Sequence, residues 1–596
     1  MKELSSCAKL ENMENNLEPV RHSLAHLLAI AVKAKYPAVK LGIGPTIEHG
    51  FYYDFDFGET APAEGELLEL EKDMRALVSQ DLGFEKNEVT DSEAKKLFAA
   101  EPYKLKLIEE LAAKGETITT YRTGEFVDLC AGPHVAHTNQ IARDAFRLTR
   151  VAGAYWRGNE QNKMLTRVYG VAFANKKELD DHLEQQAEAE KRDHRKLGKE
   201  LDLFVFSDLV GPGLPLYTPK GAIIRREIVN FSNELQSAIG YQEVHTPNIN
   251  KAELFKVSGH YEKYQDDMLR VSSHYTKEEY FLKPMNCPQH TQIYASQKRS
   301  YRDLPIRLSD FANLYRDEKP GELSGLTRLR SFAQDDGHSF CRPDQIKEEF
   351  ENVLSAIKQA LIVYGMDYYI RFSTWDPEHP EKYLGDPKTW ETAQAKLKEI
   401  LVDNKVDYRD GIGEAAIYGP KMDFISRDSL GREWQISTIQ IDFIMPERFG
   451  LKYTDQDGSE KTPVMVHRAI VGSPERFLGI LIEHYAGRFP TWLSPVQAKV
   501  IPISDKHLAY AQEVTAKLKN EGVRIELDQS NETLGKKIRA AKMQKIPYLI
   551  VLGDKEIEEQ MITVESRDAE TSVKLSLDQF SAKILEEIKA RSPLDK

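Results

Sequence analysis

The sequence predicts a multidomain protein that combines α/β and α+β folds. The chain has 596 residues, and at about 150 residues per domain roughly four domains are expected. Helix-like and strand-like segments are mixed up to residue 174, a highly charged helical segment follows, and strands and helices alternate from residue 495 onwards. These observations indicate several domains of different topology.

Composition and charge limit the classes of protein to which the chain can belong. Hydrophobic residues make up 41% and charged residues 29%, which excludes a largely disordered chain. The 81 basic and 94 acidic residues give a net charge of −13, so contact with nucleic acid requires local basic patches. The four cysteines are too scattered for a disulfide framework, and we find no signal peptide and no membrane span. We therefore expect a cytoplasmic protein.

The first predicted domain covers residues 20–174, after a short polar tail at residues 1–19. Residues 20–40 have apolar side chains at helical spacing and are predicted to form an amphipathic helix that Pro37 ends. Glycines and a proline punctuate residues 40–57, which are predicted to be strands and turns.

Residues 175–200 are predicted to be a solvated linker helix. Charges of both signs are mixed along this segment, and it contains no proline. Its second half, residues 191–199, has five Lys or Arg and one Asp. That half is either a solvated face or a contact with a nucleic-acid backbone.

Residues 201–494 form the longest mixed region, with strand-like alternation and helices near residues 345–364 and 474–488. From residue 495 to residue 596 the order is strand, helix, strand, helix and strand, followed by a hairpin-like pair. This order indicates a small α/β domain.

Two histidines and a later Cys–His pair form the first constellation that could carry chemistry. His22 and His26 share one face of the predicted helix, and Cys130 precedes His134 by the same spacing. Such a set could bind zinc or form a hydrolytic pocket, although satisfied structural histidines are also common.

Cys287, His338 and His467 form a second set, spread over 180 residues. One Cys and two His can bind zinc and leave coordination positions open. Spacing alone does not separate this reading from three unrelated structural residues.

Two arginines lie where they could bind an anion. Arg316 precedes Glu318 after an apolar run, and Arg476 is in the first turn of a predicted helix. Surface or ion-paired arginines are the simpler explanation from the residues alone. Neither a Walker A sequence nor a GxGxxG sequence is present.

Taken together, these blocks resemble the class II aminoacyl-tRNA synthetases, and most closely the threonyl-tRNA synthetases. YQEVHTP, which ends at Pro247, resembles the first class II motif, which lies at the dimer interface in the family. ANLYRDE with Arg316 resembles the second motif, and GSPERF with Arg476 resembles the third. KPMNCP, RSFAQDDGH, EAAIYGPKMDF and PVMVHRAIVGS resemble threonine-specific blocks, while RHSLAHLLA and FVDLCAGPH resemble the editing domain.

The resemblance extends over about residues 20–590. It implies an N-terminal α+β editing domain, a class II catalytic domain with an antiparallel sheet at residues 201–494, and a C-terminal α/β anticodon-binding domain at residues 495–596. It also implies a homodimer that joins L-threonine to tRNA(Thr) with ATP.

At the nucleotide, the resemblance implies that Arg316 holds the α-phosphate of ATP and Arg476 the γ-phosphate, with Mg²⁺ on the ATP. Positioned cations stabilise the charge of an in-line displacement, which here yields threonyl-adenylate and pyrophosphate. The implied assisting residues are Glu318 and Arg328 at the nucleotide, Phe332 under the adenine, the catalytic Lys421, and His260 in the transfer to tRNA.

For the amino acid, the resemblance implies one Zn²⁺ per subunit, held by Cys287, His338 and His467. The metal would take the amine and the hydroxyl of threonine in its open positions. A site that requires the hydroxyl can reject valine by a factor on the order of 10⁴. The residues implied to line this pocket are Gln334, Asp336, Tyr418, Lys421 and Gln440, with Asp336 at the amine.

The N-terminal domain is implied to hydrolyse mischarged seryl-tRNA. Serine keeps the amine and the hydroxyl of threonine, so the synthetic site can discriminate between them only ~10- to 200-fold. Metal binding by the same residues is the alternative. The implied editing residues are His22, His26, Lys104, Asp128, Cys130 and His134.

The C-terminal domain is expected to bind tRNA. Residues 535–549 contain five basic residues and no acidic one, so a basic helix face is predicted. The resemblance implies anticodon contacts for Asn531, Arg539 and Glu556, while Glu565 stands where an Arg is expected.

Other departures from the family pattern are Asp317 in place of Asn, Gln289 in place of Gly, and the lack of the usual N-terminal ubiquitin-like domain. Two alternatives are a class II synthetase for another amino acid, such as proline or serine, and a catalytically inactive paralogue that binds tRNA or mRNA. The Cys/His/His set argues against both, and the intact Arg316 and Arg476 argue against the second.

Overall fold

The computed structural model describes residues 17–58, 62–159, 161–569, 571–592 and 594. Most of the tail predicted at residues 1–19 therefore lies outside the described residues. The chain divides into two units, residues 1–187 and residues 188–596. The finer domain boundaries stay predictions.

The first unit contains a five-stranded and a three-stranded sheet. Its first helix, Glu18–Lys35, confirms the predicted amphipathic helix and ends before Pro37. Leu24 and Leu28 on this helix share a core with Phe51 of the larger sheet. The strands of the larger sheet are Lys40–Leu41, Thr46–Ile47, Gly50–Asp56, Phe146–Tyr155 and Met164–Ala172. The strands of the smaller sheet are Glu85–Glu88, Thr119–Thr123 and Phe126–Leu129. The other helices are Leu67–Val78, Asp91–Leu97 and Pro102–Lys114.

The segment predicted as a single linker helix is two helices, Lys176–Arg192 and His194–Glu200. Asp193 separates them, and its side chain accepts a hydrogen bond from the backbone N–H of Arg195. The prediction of a solvated helix is wrong for the second half, because Leu197 and Gly198 are buried there.

An eight-stranded sheet forms the centre of the second unit. Neighbouring strands are antiparallel except for the pair at each edge, as the resemblance implied. Their spatial order is Gln242–Glu243, Ile306–Tyr315, Ser331–Cys341, Val464–Ala469, Glu433–Asp442, Lys421–Arg427, Asp367–Thr374 and Tyr408–Ile412.

Helices cover one face of this sheet. The helix Ile346–Val363 contributes Phe350 and Ile357 to a large apolar core that also contains Ile439 and Ile441 of the sheet. Side chains alternate between the two faces of a strand, so Gln440 points to the opposite face. The other helices of this region are Pro219–Ala238, Ala252–Ser258, His260–Tyr264, Cys287–Ala295, Pro387–Asp403, Ile444–Arg448 and Pro474–His484.

Short strands complete the region outside the large sheet. They form a three-stranded sheet and two two-stranded ribbons. Their bounds are Ile249–Lys251, Arg270–Val271 and Tyr280–Leu282, then Phe204–Val205 with Leu216–Tyr217, and Tyr453–Thr454 with Glu460–Lys461.

The C-terminal part has the predicted αβ order and the predicted hairpin-like pair. Its five-stranded sheet is parallel over three strands and antiparallel over the last two. The strands in spatial order are Ile525–Leu527, Ala498–Pro502, Tyr548–Leu552, Ile562–Ser566 and Val573–Leu575, and the helices are Leu508–Asn520, Leu534–Met543, Asp554–Glu559 and Leu577–Ala590. Among the described residues, no helix has the length and apolarity to cross a membrane.

Candidate functional site

A cavity of about 710 Å³ lies on the face of the large sheet opposite the helix Ile346–Val363. The strand Ser331–Cys341 supplies its floor, because every second side chain points to one face of a strand. The cavity-lining residues Phe332, Gln334, Asp336 and His338 follow this alternation. One strand therefore brings four of the predicted site residues together.

A row of predicted site residues crosses the sheet at right angles to this strand. His338 pairs in register with His467, His467 with Gln440, and Gln440 with Lys421. All four residues line the cavity. Hydrogen-bonded register, rather than closeness in sequence, assembles them.

The three predicted metal ligands meet at one end of this row. Cys287, in the first turn of the helix Cys287–Ala295, offers its Sγ atom, and His338 and His467 each offer a ring nitrogen. The three ligand atoms lie within 4.8 Å of one another and the three residues are buried. Burial raises the pKa of the Cys287 thiol well above its ordinary value. One thiol and two imidazoles at this spacing fit a zinc ion.

The second ring nitrogen of each histidine has a buried partner. His338 Nδ1 lies 2.7 Å from His290 Nδ1, and His467 Nε2 lies 3.0 Å from an oxygen of Asp442. Such partners orient metal-binding imidazoles. The sequence reasoning missed both, although His290 follows Cys287 by three residues and so lies on the same face of its helix.

Asp336 lies beside this set, with Oδ1 at 3.5 Å from His338 Nε2. Burial raises the pKa of its carboxyl group to about 6, against the lowering effect of His467 and Arg468. Tyr418 donates a hydrogen bond of 2.8 Å to Gln440, and its ring centroid lies 4.7 Å from that of His467. Asp336, Tyr418 and Gln440, which were predicted to line one pocket, therefore lie next to the same two histidines.

Two predicted catalytic residues have other surroundings. Lys421 forms an ion pair of 2.8 Å with the buried Asp423 while it lines the cavity. His260 does not line the cavity: it is fully buried, and its ring centroid lies 6.4 Å from that of Tyr418. Burial lowers the pKa of His260 to about 3, so its imidazole is neutral.

The two predicted arginines lie at the other part of the cavity. The Arg316 guanidinium is 5.2 Å from the centroid of the Phe332 ring, and that of Arg476 is 5.8 Å from the Trp434 ring. Burial lowers the pKa of both guanidinium groups from the ordinary value. Arg476 Nε is buried and has no hydrogen-bond partner within the described chain. Two desolvated cations facing one cavity favour a multiply charged anion.

Glu318 and Arg328 form an ion pair at the same part of the cavity, with 2.8 Å between them. A second carboxylate, that of Glu322, lies 3.0 Å from Arg328. Both members of the predicted pair line the cavity. Arg476 is placed by the helix Pro474–His484, whose N-cap Ser473 accepts a hydrogen bond from the Arg476 backbone N–H.

The first unit contains a separate cluster of His22, His26, Cys130 and His134. Cys130 Sγ lies 3.2 Å from His22 Nε2 and 3.2 Å from His134 Nε2. Their four ligand atoms lie within 4.8 Å of one another. The helix and the segment after the strand Phe126–Leu129 thus meet as the two sequence blocks predicted.

A buried ion pair lies next to this cluster. The ammonium group of Lys104 lies 2.5 Å from Asp128, whose other oxygen accepts a 2.6 Å hydrogen bond from the Tyr53 hydroxyl. Sequence reasoning missed Tyr53, and nothing in its sequence context distinguishes it. Desolvation lowers the pKa of His134 to about 2 and raises that of Cys130 to about 11. The cluster is therefore a set of neutral imidazoles and a thiol above a buried ion pair.

The predicted basic face in the C-terminal part is smaller than expected. The helix ends at Met543, so Lys545 lies outside it and hydrogen-bonds the carbonyl oxygen of Ala486. Lys537 is buried, 4.0 Å from Asp528. The prediction of a face with five positive charges is wrong, because only the exposed Lys536, Arg539 and Lys542 remain on the helix surface.

The predicted anticodon-binding residues differ in their surroundings. Asn531 and Arg539 are exposed. Glu556 caps its own helix, where it accepts hydrogen bonds from the Gly553 N–H and the Thr563 hydroxyl. Glu565 forms an ion pair of 2.5 Å with Lys542, which neutralises one more charge of the basic helix.

Three segments of the chain match known protein families. Residues 118–169 match the second additional domain of threonyl and alanyl tRNA synthetases. Residues 270–485 match the class II tRNA synthetase core domain of the G, H, P, S and T types. Residues 497–587 match an anticodon-binding domain.

The chain is also similar to curated proteins over almost its whole length. It is 48% identical over 573 residues to the threonine–tRNA ligase of Thermotoga neapolitana, covering 96% of this chain and 88% of that protein. It is 48% identical over 582 residues to the threonine–tRNA ligase of Deinococcus deserti, covering 96% and 89%.

Two solved structures are similar to part of the chain. The RNA binding domain of threonyl-tRNA synthetase from Cryptosporidium parvum has a TM-score of 0.63 at 38% identity, covering 68% of this chain and 99% of that one. A putative threonyl-tRNA synthetase from Aeropyrum pernix has a TM-score of 0.59 at 29% identity, covering 67% and 97%.

Proposed function

The chain belongs to the threonine–tRNA ligase family, and on that premise we propose that it charges tRNA(Thr) with L-threonine at the expense of ATP. The observation that supports this most is the meeting of Cys287, His338 and His467 with two buried arginines in one cavity. A metal-binding end suits the amino acid and a cationic end suits a triphosphate, so both substrates of adenylate formation have a place.

At the amino-acid end, Cys287, His338 and His467 would hold one zinc ion per subunit. A bound zinc ion supplies Lewis-acid positions for the amine and the hydroxyl of threonine. Asp336 accepts a hydrogen bond from the amine, while Tyr418 and Gln440 close the side of the pocket nearest His467. A site that uses the hydroxyl rejects valine by a factor on the order of 10⁴, since valine would leave polar groups unpaired.

At the nucleotide end, Arg316 and Arg476 hold the phosphates of an ATP that carries Mg²⁺. Their guanidinium groups are already desolvated, so they stabilise developing charge without prior loss of water. Phe332 stacks under the adenine, and Glu318 keeps Arg328 beside the nucleotide. The threonine carboxylate attacks the α-phosphorus, and pyrophosphate leaves.

His260 is assigned to the second step, in which the terminal ribose hydroxyl of the tRNA attacks the adenylate carbonyl. Its neutral imidazole lies behind Tyr418, so it acts by positioning this wall of the pocket.

The cluster in the first unit is assigned to hydrolysis of seryl-tRNA. Neutral imidazoles and a thiol can position water and the ester without a metal, and the ion pair of Lys104 and Asp128 orients His26. Zinc binding by the same four residues is the alternative, and their spacing accommodates it.

Further assignments rest on the family. tRNA binds through the C-terminal part, with Asn531, Arg539 and Glu556 at the anticodon, and two copies associate through the segment that ends at Pro247. We place the protein in the cytoplasm. The domain boundaries at residues 174, 200 and 494 are part of the same proposal.

The test is ATP–pyrophosphate exchange with each amino acid in turn. We expect strong exchange with threonine, weaker exchange with serine and none with valine. Exchange driven only by proline or serine would favour a synthetase for another amino acid. Exchange with no amino acid would favour a binding paralogue.

A further inference from the structure

His194, at the start of the second linker helix, joins three elements of the second unit. The residue is 4% exposed. Its Nδ1 atom lies 2.6 Å from a carboxylate oxygen of Glu483, at the end of the helix Pro474–His484. Its Nε2 atom accepts a 2.9 Å hydrogen bond from the backbone N–H of Leu326.

These contacts fix the tautomer of the imidazole. A backbone N–H can only donate, so Nε2 of His194 must be the acceptor and the ring proton must be on Nδ1. Nδ1 then donates to Glu483, which also accepts the backbone N–H of His194 at 3.0 Å. Arg432 binds the other oxygen of Glu483. Both ring nitrogens are thus committed, one to the helix and one to the loop.

The loop that His194 holds is a wall of the nucleotide part of the cavity. Leu326, Thr327, Arg328 and Leu329 line the cavity. The loop passes directly over the imidazole: a Cβ atom on Gly325, which has φ of +49°, would lie 2.1 Å from His194 Nε2. A Cβ on Gly479 would approach both Leu326 and His194. The helix that carries Arg476 and the loop that carries Arg328 therefore touch the same imidazole.

We propose that His194 is a positioning residue for ATP: it fixes the loop of Arg328 against the helix of Arg476, and its hydrogen bond to Leu326 sets the affinity for the nucleotide. This deepens the proposed function and rests on it. The metal-binding set lies at the other end of the cavity, so His194 controls ATP and not threonine.

Two single substitutions separate the bonds of the imidazole. In His194→Gln the amide reaches the position of Nε2 and still accepts the Leu326 N–H, but the bond to Glu483 is lost. In His194→Asn the amide reaches the position of Nδ1 and still donates to Glu483, but the Leu326 N–H is left unpaired. His194→Ala removes both bonds.

The experiment measures ATP binding to the full-length protein by calorimetry without amino acid, and the KM values for ATP and threonine in pyrophosphate exchange. We expect His194→Asn and His194→Ala to weaken ATP binding about tenfold, because a buried backbone donor loses its partner. His194→Gln should stay within about twofold of wild type, and the KM for threonine should stay unchanged in all three. Thermal unfolding reports stability, and His507→Asn, which changes a buried histidine bonded to Asp554, is the control for destabilisation alone.

Equal ATP affinity in His194→Asn and wild type would overturn the proposal, as would equal losses in His194→Asn and His194→Gln. A parallel rise in both KM values would also overturn it. Binding is measured without amino acid, so an enzyme that activates another amino acid still tests the role of His194. A wild-type protein that binds no ATP would contradict both this role and the proposed function.

Discussion

Arg476 has no carboxylate partner within the described chain. Its replacement therefore tests directly whether this arginine binds an anionic substrate. Its guanidinium is desolvated beside Trp434, and its Nε atom is buried without a hydrogen-bond partner. The change that tests it is Arg476→Met, which removes the charge and keeps an apolar stem of similar length.

Arg476→Met is expected to lower activity without lowering stability. Loss of a charge that stabilises a reacting phosphate typically lowers kcat by about 10²–10³, or about 2.7–4 kcal/mol. The folded protein loses no ion pair, and a partly desolvated cation without a partner is itself unfavourable. We therefore expect an unfolding temperature equal to or higher than that of wild type.

Arg432→Met is the matched control, because this arginine lies beside the same tryptophan but carries two carboxylate partners. Asp428 is 6% and Glu483 is 5% exposed, and each lies within hydrogen-bond distance of Arg432. Removing the cation leaves both carboxylates buried without a counter-charge, although Glu483 keeps its bonds from His194 and Asp428 keeps its bond from Trp434. The unfolding temperature should therefore fall.

Pyrophosphate exchange at saturating ATP and threonine gives kcat, and calorimetry gives the unfolding temperature. An Arg476→Met enzyme that forms adenylate at the wild-type rate would refute the assignment of this arginine to the nucleotide. An unfolding temperature as low as that of Arg432→Met would show that Arg476 is a structural cation with a partner.

Three other predictions concern separate parts of the molecule. Cys287→Ala should lose bound zinc together with threonine activation, as metal analysis checks, and full activity of a zinc-free preparation would contradict the site. The double change of His22 and Cys130 to Ala should leave threonine charging intact while seryl-tRNA accumulates, whereas unchanged hydrolysis of seryl-tRNA would contradict the editing assignment. His260 has its pKa lowered by burial from 6.5 to about 3, so its unfolded form binds a proton first as the pH falls. Burial of the neutral His260 should therefore lower the free energy of unfolding by up to about 1.4 kcal/mol for each pH unit that the pH falls between 6.5 and 3. From pH 7 to pH 5, the unfolding temperature of His260→Gln should fall less than that of wild type.

The sequence predicted the elements of the catalytic part because their patterns are local. The alternation in the strands Lys421–Arg427 and Glu433–Asp442 and the helix start at Ser473 depend on neighbours within a few residues. The meeting of Cys287 with His338 was not available from spacing, and only the resemblance to a family supplied it.

The same locality explains the two wrong predictions. Charge alone suggested that residues 191–199 form a solvated or nucleic-acid-binding helix and that residues 535–549 present a face with five positive charges. Burial of Leu197 and Lys537 depends on strands and loops that are distant in sequence, and so does the pairing of Lys542 with Glu565. His290, Tyr53 and His194 were missed for a related reason: each acts through a partner 48 or more residues away.

The row of His338, His467, Gln440 and Lys421 depends on the face of the sheet that each side chain occupies, and not on the length of the chain between the strands. The exposed turn at residues 456–459, between the strands of Gln440 and His467, can lengthen or shorten without moving either partner. One residue inserted between Thr438 and Gln440 would instead turn Gln440 from the cavity towards the apolar core. A second insertion at the same place would restore the facing. Earlier in the same strand, the β-bulge opposite Phe424 and Ile425 already carries one extra residue. The turn therefore accepts changes of length freely, while the bulge-free part of this strand accepts them only in pairs.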